Sequence, residues 1–491
     1  MRSTHAFATL SVRPRGRGPL PRFVTKPSST RDATWYLWEH KPPMDTVAII
    51  TLGCPKNAVD SERMMGHLEA NGYNVVEDAE GADVVIVNTC GFIRPAKEES
   101  IDAILEAARL KAEGHCKALV VAGCLAQRYP RELERRLPEV DAVIGLKDVP
   151  RIVKCCDRLL GKKRTVVHAE RRRLSTPAHY AYLRIADGCS NHCSYCAIPA
   201  IRGAHKSEPL EAVVAEARDL VERGVKELIL IAQDTTQYGV DRCGASMLPE
   251  LMTRLAGLDG LAWVRLMYTH PAHWSDALIE VMATHPNICR YADLPIQHIS
   301  DDLLESMHRK ATRAHIERLV EKLRTRIPGI ALRTSVIVGL PGETDAHFRE
   351  LTDFVEWARF ERLGAFAYSQ EEGTLAAAFP DQVSEEVKGQ RLGQLMTLQQ
   401  GVSEALNADL VGRTLRVLVD RSGDGEGLAF VGRTEQDAPE IDNEVLITEG
   451  AAEVGGFADV KITDAYEYDL VGAARSGCPD AHGASVIPAG P

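Results

Sequence analysis

Three apolar runs near the start of the chain each end in a cysteine. The runs VAIITLGC, ADVVIVNTC and ALVVAGC end at Cys54, Cys90 and Cys124, and a stretch compatible with a helix follows each one. Continuous Val, Ile and Leu runs that alternate with helices are typical of a parallel sheet buried on both faces. The sequence therefore predicts an α/β fold that begins with a parallel α/β domain over 44–160.

These three cysteines are expected to meet in space. Ligands of such sheets gather at the carboxyl ends of the strands, so thiols that lie 36 and 34 residues apart can share one site. One such cysteine alone would be typical of a buried core residue. Three at the same structural position predict a metal cluster held by three thiolates. The nearby Asn57, Ser61 and Asn88 are interpreted as helix caps, with hydrogen bonds to cluster sulfurs as the alternative.

A second set of three cysteines lies in the run AYLRIADGCSNHCSYCAIPAIRG, at Cys189, Cys193 and Cys196. This spacing suits three irons of a cubane cluster, which usually takes four thiolates, so the fourth iron stays open to a small ligand. A structural zinc site is the alternative, but such sites are normally closed by a fourth Cys or His. His192 and His205 do not form the second paired ligand set that a zinc site commonly has.

The middle of the chain, 179–408, alternates apolar strands with amphipathic stretches. The strands are YAYLRIA, ELILIAQ, WVRLMY, YADLPI, LRTSVIVG and GAFAYS. Six such repeats predict a partial (β/α)6 barrel with the second triad at its top face, where barrels of this kind place active sites. Gln233, Gln297 and Gly339, which follow strands of this set, are therefore candidate cofactor contacts.

The segment 409–472 is predicted to form a small five-stranded, all-β barrel, because short alternating strands are separated by frequent turn residues. Residues 411–472 hold five basic and 14 acidic side chains. A phosphate backbone would be repelled by this charge, whereas a basic protein surface would be attracted. RNA binding by this barrel is therefore disfavoured.

The ends of the chain carry different expectations. Residues 1–43 hold eight basic and two acidic side chains. They are interpreted as a disordered or mis-assigned extension, with Met44 as the initiator, and an organelle transit peptide is the alternative. A charged linker is expected over 161–178 and a disordered tail over 473–491. Apolar runs fall short of a membrane span, and 12 cysteines without a secretory segment indicate a cytoplasmic protein.

The second triad resembles the motif of the radical S-adenosylmethionine superfamily. The order of cysteine-ended strands, triad domain and TRAM-like terminal barrel resembles the methylthiotransferases over 46–472. One branch of that family modifies a transfer-RNA adenosine and the other modifies an aspartate of ribosomal protein uS12. The phrases TLGCPKNAVDSERM, AQDTTQYG, DLPIQHIS and AYSQEEGT resemble the ribosomal-protein branch. Glu371 and Glu372, in the last phrase, are predicted contacts for a basic peptide, since the tRNA branch typically has Arg at position 371.

The resemblance implies two [4Fe-4S] clusters, one on each cysteine triad, and S-adenosylmethionine at the open iron of the second triad. Tyr195 lies where the superfamily keeps an aromatic residue beside the adenine. Lys206 is expected to replace an arginine that the family usually has shortly after the triad. The implied reaction is abstraction of hydrogen from the aspartate β-carbon, followed by sulfur transfer from the first triad.

The implied partners are uS12 and an electron donor such as flavodoxin or ferredoxin, and no membrane is expected. A tRNA methylthiotransferase is the alternative function. An electron-transfer or iron-storage protein is the alternative from another class, but electron transfer alone would not require open irons.

Overall fold

The computed structural model describes residues 44–169, 171–425 and 427–475. The expectations for 1–43, and for nearly all of 473–491, lie outside these residues. Within the described ranges, none of the helices combines the length and the apolar character that crossing a bilayer requires.

The cysteine-ended runs form neighbouring strands of one five-stranded parallel sheet, as predicted. The strand order is β2-β1-β3-β4-β5. The strands are β1 (Thr46–Thr51), β2 (Asn74–Val76), β3 (Val84–Thr89), β4 (Ala118–Gly123) and β5 (Ala142–Ile144). Every residue of β3 and β4 is buried, which explains their unbroken apolar sequence. The helices of this part are α1 (Pro55–Ala70), α2 (Arg94–Ala112), α3 (Cys124–Arg128), α4 (Pro130–Arg136) and α5 (Ile152–Leu159), with a 3-10 helix at Leu146–Arg151.

Six parallel strands then form the predicted partial barrel. They are β6 (Tyr180–Arg184), β9 (Glu227–Ile231), β10 (Trp263–Leu266), β11 (Tyr291–Asp293), β12 (Ala331–Val338) and β13 (Arg362–Ala367). Two three-stranded sheets, β10-β9-β6 and β11-β12-β13, are joined by a bridge between Val264 and Ile288. A short hairpin of β7 (Ala186–Asp187) and β8 (Lys206–Ser207) flanks the second triad.

Helices separate these strands, and several begin at a capping side chain. Ser275, Thr312, Thr344 and Ser384 each accept a hydrogen bond from the first turn of their helix, which satisfies an otherwise unpaired N–H group. The helices are α6 (Ile198–Arg202), α7 (Leu210–Glu222), α8 (Val240–Cys243), α9 (Leu248–Ala256), α10 (Asp276–Thr284), α11 (Asp301–Ser306), α12 (Arg313–Arg326), α13 (Asp345–Ala358) and α14 (Glu385–Ala408). Short 3-10 helices lie at Thr235–Gln237, Pro271–His273 and Ala376–Ala378.

The terminal segment is a closed five-stranded barrel in the order β14-β15-β16-β18-β17, which confirms the prediction. Its strands are β14 (Thr414–Ser422), β15 (Phe430–Arg433), β16 (Val445–Glu449), β17 (Phe457–Ala465) and β18 (Leu470–Ala474). Closure pairs every edge, so no strand of this barrel offers unpaired backbone groups to another chain.

The interior of the partial barrel is filled by its neighbours as well as by its own strands. Tyr180, Tyr182 and Tyr291 from the strands pack in one buried cluster with Val59 of α1 and Leu418 of β14. An incomplete barrel cannot close on itself, so α1 and the terminal barrel provide the missing apolar surface. The described residues from Asp45 to Arg475 belong to one compact unit.

The stretch 161–178, interpreted from its charge as a linker, is packed against the rest of the protein. Arg172 is 8% exposed. Its guanidinium pairs with Glu62 of α1 and lies 2.8 Å from Glu216 of α7. Arg172 therefore connects the two α/β parts through ion pairs with one residue of each part.

Candidate functional site

The first triad lies where the sheet topology puts it, at the carboxyl edge of β1, β3 and β4. Cys54 directly precedes α1, Cys90 follows β3, and Cys124 begins α3. Two glycines let these loops approach closely. A Cβ at Gly53 would lie 2.8 Å from Cys90 Cβ, and one at Gly91 would lie 2.9 Å from the carbonyl carbon of Cys124. The structure thus brings the three predicted thiols together.

Asn57, Ser61 and Asn88 do not cap helices, which corrects that interpretation. The N-cap of α1 is Cys54, without a side-chain hydrogen bond. Asn57 Nδ2 donates to the carbonyl oxygens of Leu52 at 2.7 Å and Asn88 at 3.1 Å, and Asn88 Nδ2 donates to Ser61 Oγ at 2.8 Å. These buried amides fasten the ends of β1 and β3 to α1 and so fix where Cys54 and Cys90 lie.

The chemistry of this donor set fits an iron–sulfur cluster. Burial raises the pKa of the Cys124 thiol to about 12, and the Arg202 guanidinium opposes that shift. Burial raises the pKa of the Cys90 thiol as well. Coordination to a metal deprotonates such thiols outright, and a cation beside them offsets the charge of the thiolates.

A site for a single metal ion differs from a cluster site in how close together its ligands must lie. Within the described residues, no three His, Cys, Asp or Glu side chains converge closely enough to hold one metal ion. A cubane cluster binds each thiolate through a different iron, so its ligands lie further apart than those of one ion.

The second triad lies on the loop between β7 and α6, at the top of the partial barrel. Two backbone hydrogen bonds hold this loop in place. The Cys189 N–H donates to the Gly203 carbonyl at 3.0 Å, and the Ser194 N–H donates to the Met307 carbonyl at 3.1 Å. Burial raises the pKa of the Cys196 thiol to about 12 and also raises the pKa of the Cys189 thiol. The three half-buried cysteines form a second set of sulfur donors.

Arg309 is a residue of this site that the sequence does not reveal. Its Nη1 donates to Cys193 Sγ at 3.8 Å, and the residue is 5% exposed. Its neighbours His308 and Lys310 both have positive φ, at 57° and 55°. Backbone strain of this kind is typical of functional sites. In sequence, His-Arg-Lys after a short helix is indistinguishable from ordinary basic residues at a helix end.

The predicted cofactor contacts fall into two groups. Tyr195 packs with Leu340 and Tyr368 in one apolar cluster, so it lies beside the turn that begins at Gly339. Gly339 has a φ of 74°, and its N–H donates to Glu343 Oε2 at 2.7 Å. The role of Tyr195 and Gly339 as cofactor contacts stays a prediction.

The two glutamines lie at other strand ends of the same face. Gln233 Nε2 donates to Asp187 Oδ1 at 3.1 Å, while its buried Oε1 accepts no hydrogen bond from the described residues. Gln297 has a φ of 72° and bridges to Val336 of β12. Their contacts with the cofactor also stay predictions.

Arg202, the last residue of α6, connects the two triads. Its Nη1 lies 3.1 Å from Asp187, and its Nη2 lies 3.0 Å from Asp60 of α1 and 3.4 Å from Cys124 Sγ. Asp60 also pairs with Arg184 of β6. Lys206, expected to supply a cation in this region, is exposed on β8. The cation beside the first triad is Arg202 instead.

Lys56 lies in the first turn of α1, two residues after Cys54. It is 7% exposed, and its Nζ lies 3.0 Å from the centroid of the Tyr268 ring. Burial lowers the pKa of Lys56 to about 8. Tyr268 follows β10, so this contact joins the first triad to the top face of the partial barrel.

Glu371 is not available to a substrate, which corrects its predicted role. It is 2% exposed, and its carboxylate accepts hydrogen bonds from Lys97 at 2.7 Å, Arg128 at 2.9 Å and Ser369 at 2.9 Å. Both cations belong to the N-terminal α/β part, so Glu371 holds that part against the partial barrel. Glu372 is exposed, and its contact with a substrate stays a prediction.

Much of the acidic charge of the terminal barrel is paired within the chain. Asp437 accepts from Arg362 at 2.9 Å, Asp442 accepts from Arg333 at 3.1 Å, and other carboxylates pair similarly. The residue count therefore overstates the free negative charge. Among the described residues, six exposed carboxylates of the barrel form no salt bridge: Asp424, Glu440, Glu449, Glu453, Asp459 and Asp464. Glu444 is exposed as well, but it pairs with Arg421 at 3.1 Å.

Comparison with known families and structures gives matches along most of the chain. Family profiles match at three segments: an uncharacterized protein family, UPF0004, over 46–145, the radical SAM superfamily over 183–355, and the TRAM domain over 411–474. Among solved structures, the radical S-adenosylmethionine methyltransferase TsrM from Kitasatospora setae is 18% identical, with a TM-score of 0.49 over 66% of this chain and 75% of that chain.

Several curated relatives are much more similar. The ribosomal protein uS12 methylthiotransferase RimO of Trichlorobacter lovleyi is 50% identical over 435 residues, which are 87% of this chain and 97% of that protein. The protein of the same name from Heliobacterium modesticaldum is 51% identical over 437 residues, 87% of this chain and 95% of that protein. That from Phocaeicola vulgatus is 48% identical over 431 residues, 87% of this chain and 98% of that protein.

Proposed function

Because the chain belongs to the RimO family of ribosomal protein uS12 methylthiotransferases, we propose that it inserts a methylthio group at the β-carbon of an aspartate in uS12. The enzyme is a radical S-adenosylmethionine methylthiotransferase. The observation that carries the proposal is that α6, which follows the second triad, ends at Arg202, whose guanidinium lies 3.4 Å from Cys124 of the first triad. This arrangement occurs in a chain about half identical to these relatives.

We propose that Cys189, Cys193 and Cys196 hold the [4Fe-4S] cluster that binds S-adenosylmethionine, and that the triad of Cys54, Cys90 and Cys124 holds the second [4Fe-4S] cluster. When bound, the cluster on Cys189, Cys193 and Cys196 would supply a radical together with S-adenosylmethionine, and the cluster on the first triad would supply sulfur. The remaining contributions come from the protein's own side chains.

Those contributions are positioning, hydrogen bonding and exclusion of water. Tyr195 and the turn at Gly339 form one wall beside the second triad. Arg309 donates to Cys193 and Arg202 donates to Cys124, and such hydrogen bonds to cluster thiolates tune reduction potential. Val59 of α1 packs into the buried cluster inside the partial barrel. We propose that this packing limits the access of water to the triads and so protects a reactive intermediate.

The substrate preference is proposed to rest on surface charge. The exposed carboxylates of the terminal barrel attract a Lys/Arg-rich protein and repel RNA, and Glu372 adds to that charge. We propose flavodoxin or ferredoxin as the electron donor, since His192 of the second triad's loop is exposed and gives a carrier close access. A cytoplasmic location follows as a proposal from the ribosomal substrate.

The test is anaerobic incubation of the reconstituted protein with S-adenosylmethionine, a reductant and either uS12 or tRNA, followed by mass spectrometry. A methylthio adduct on the target aspartate of uS12 is the expected product. The Cys189→Ala variant, which lacks one ligand of the second triad, is the matched negative control. An adduct on the RNA, or none on the protein, would contradict the proposal.

A further inference from the structure

Lys56 is a buried cation that forms no salt bridge within the described part of the protein. The buried guanidinium groups of Arg184 and Arg202, by contrast, both pair with the carboxylate of Asp60. Among the described residues, no carboxylate lies within salt-bridge distance of the Lys56 ammonium, and none accepts a hydrogen bond from it. The ammonium lies over the face of the Tyr268 ring, 3.0 Å from its centroid. The attraction of an ammonium to a ring face offsets only part of the hydration free energy that the ammonium loses when it is buried.

The position of Lys56 at the start of α1 is a second, independent reason to expect an anion beside it. It is the second residue of a 16-residue helix, where the N–H groups of the first turn create a partial positive charge. Anions are favoured at that end of a helix and cations are not. Lys56 and the helix end together form a spot of positive potential two residues from Cys54.

The fold also holds the partner of Lys56 in a strained conformation. Tyr268 has a φ of 59°, which is uncommon for a residue other than glycine and is costly for a bulky side chain. Its N–H donates to Asp293 Oδ2 at 2.8 Å, and its carbonyl oxygen accepts from the Thr235 N–H at 3.0 Å. These bonds fix the ring beneath the ammonium, so the place of Lys56 is set by the structure around it.

We infer that Lys56 binds the side-chain carboxylate of the target aspartate, and this inference rests on the proposed function. The reacting β-carbon is bonded directly to that carboxylate, so an ammonium two residues from Cys54 would hold this carbon beside the first triad. Lys56 would then distinguish aspartate from asparagine, which has the same shape without the charge. The competing explanation is that Lys56 only offsets the negative charge of a cluster on Cys54, although Arg202 already lies beside that triad.

The experiment measures binding in the absence of reductant, so that no turnover occurs. Full-length reconstituted protein with S-adenosylmethionine is titrated with uS12 and with uS12 in which the target aspartate is replaced by asparagine. Wild type is expected to bind the aspartate form roughly 30-fold more tightly, the effect typical of losing one partner of a buried charge pair. Lys56→Gln should reduce this ratio to about threefold or less, while Lys56→Arg should retain most of it. Lys163→Gln removes one exposed positive charge and should leave the ratio unchanged.

Equal binding of both uS12 forms by wild type would overturn the inference, even if Lys56→Gln failed to fold. An unchanged ratio in Lys56→Gln would also overturn it, and a shift of the cluster potential in that variant would then support the charge-offset explanation. Product formation separates this inference from the proposed function. If wild type modifies uS12 but shows no preference for aspartate in binding, only the inference fails, whereas absence of the adduct on uS12 defeats the proposed function itself.

Discussion

Nη2 of Arg202 lies 3.4 Å from Sγ of Cys124, so the helix that follows the second triad reaches the first. Asp60 and Asp187 hold the guanidinium on either side, and its side chain is 1% exposed. The guanidinium beside the first triad is therefore buried and held by two carboxylates.

Replacement of Arg202 by lysine is expected to lower the reduction potential of the cluster on the first triad. Lysine keeps the positive charge but cannot hold both carboxylates and the sulfur at once. Loss of a charge-assisted hydrogen bond of about 1.5 kcal/mol corresponds to a shift on the order of 60 mV for one electron. A redox titration followed by electron paramagnetic resonance measures it. Arg309→Lys is the matched control and should shift the other cluster, so a shift of the same cluster in both variants would refute this assignment.

The two triads should fail in different ways when one ligand is removed. Cys189→Ala is expected to abolish formation of 5′-deoxyadenosine, because the cofactor then loses its cluster. Cys54→Ala should retain this product and lose insertion of sulfur into uS12. Chromatography of the nucleoside and mass spectrometry of uS12 measure both outcomes. Equal loss of cofactor cleavage in the two variants would show that the division of roles is wrong.

Glu371→Gln is expected to lower the free energy of unfolding by about 2 kcal/mol, because Lys97 and Arg128 lose their shared buried carboxylate. Urea denaturation measures the difference. Glu372→Gln is the matched control, since its exposed side chain should contribute within about 0.5 kcal/mol. Equal stability of the two variants would show that Glu371 does not hold the two parts together.

The same carboxylate predicts a pH dependence. Burial alone would raise the pKa of Glu371, but hydrogen bonds from Lys97, Ser369 and Arg128 outweigh it, and the pKa falls below its usual 4.5. A lowered pKa in the folded state stabilises the protein above pH 4.5, and this contribution is lost as the pH falls through the folded value. The stability difference between wild type and Glu371→Gln should therefore be constant from about pH 7 to 5.5 and shrink below about 4.5. A difference that disappears between pH 7 and 6 would point to another group.

The sequence predicts the fold well because its signals are local. Unbroken apolar runs fix the parallel strands, and a parallel sheet necessarily puts Cys54, Cys90 and Cys124 at one edge. The pairing of charges is not local, so the sequence does not show which charges are free. Asp437 counts toward the acidic total of the terminal barrel, and the sequence predicts a contact of Glu371 with a basic peptide, but both are buried against cations. Arg202, Arg309 and Lys56 matter through neighbours distant in sequence, and no spacing pattern marks them.

Because α1 fills part of the barrel interior, the N-terminal α/β part cannot be removed from the partial barrel without loss of buried contacts. A fragment that started after residue 160 would lack Val59, Asp60 and Glu62. Arg184 and Arg172 would then lose their ion pairs with Asp60 and Glu62 and keep only those with Asp187 and Glu216. The segments that family profiles recognise separately are thus not interchangeable modules. A genetic exchange that replaced one of the two α/β parts would have to replace the other with it.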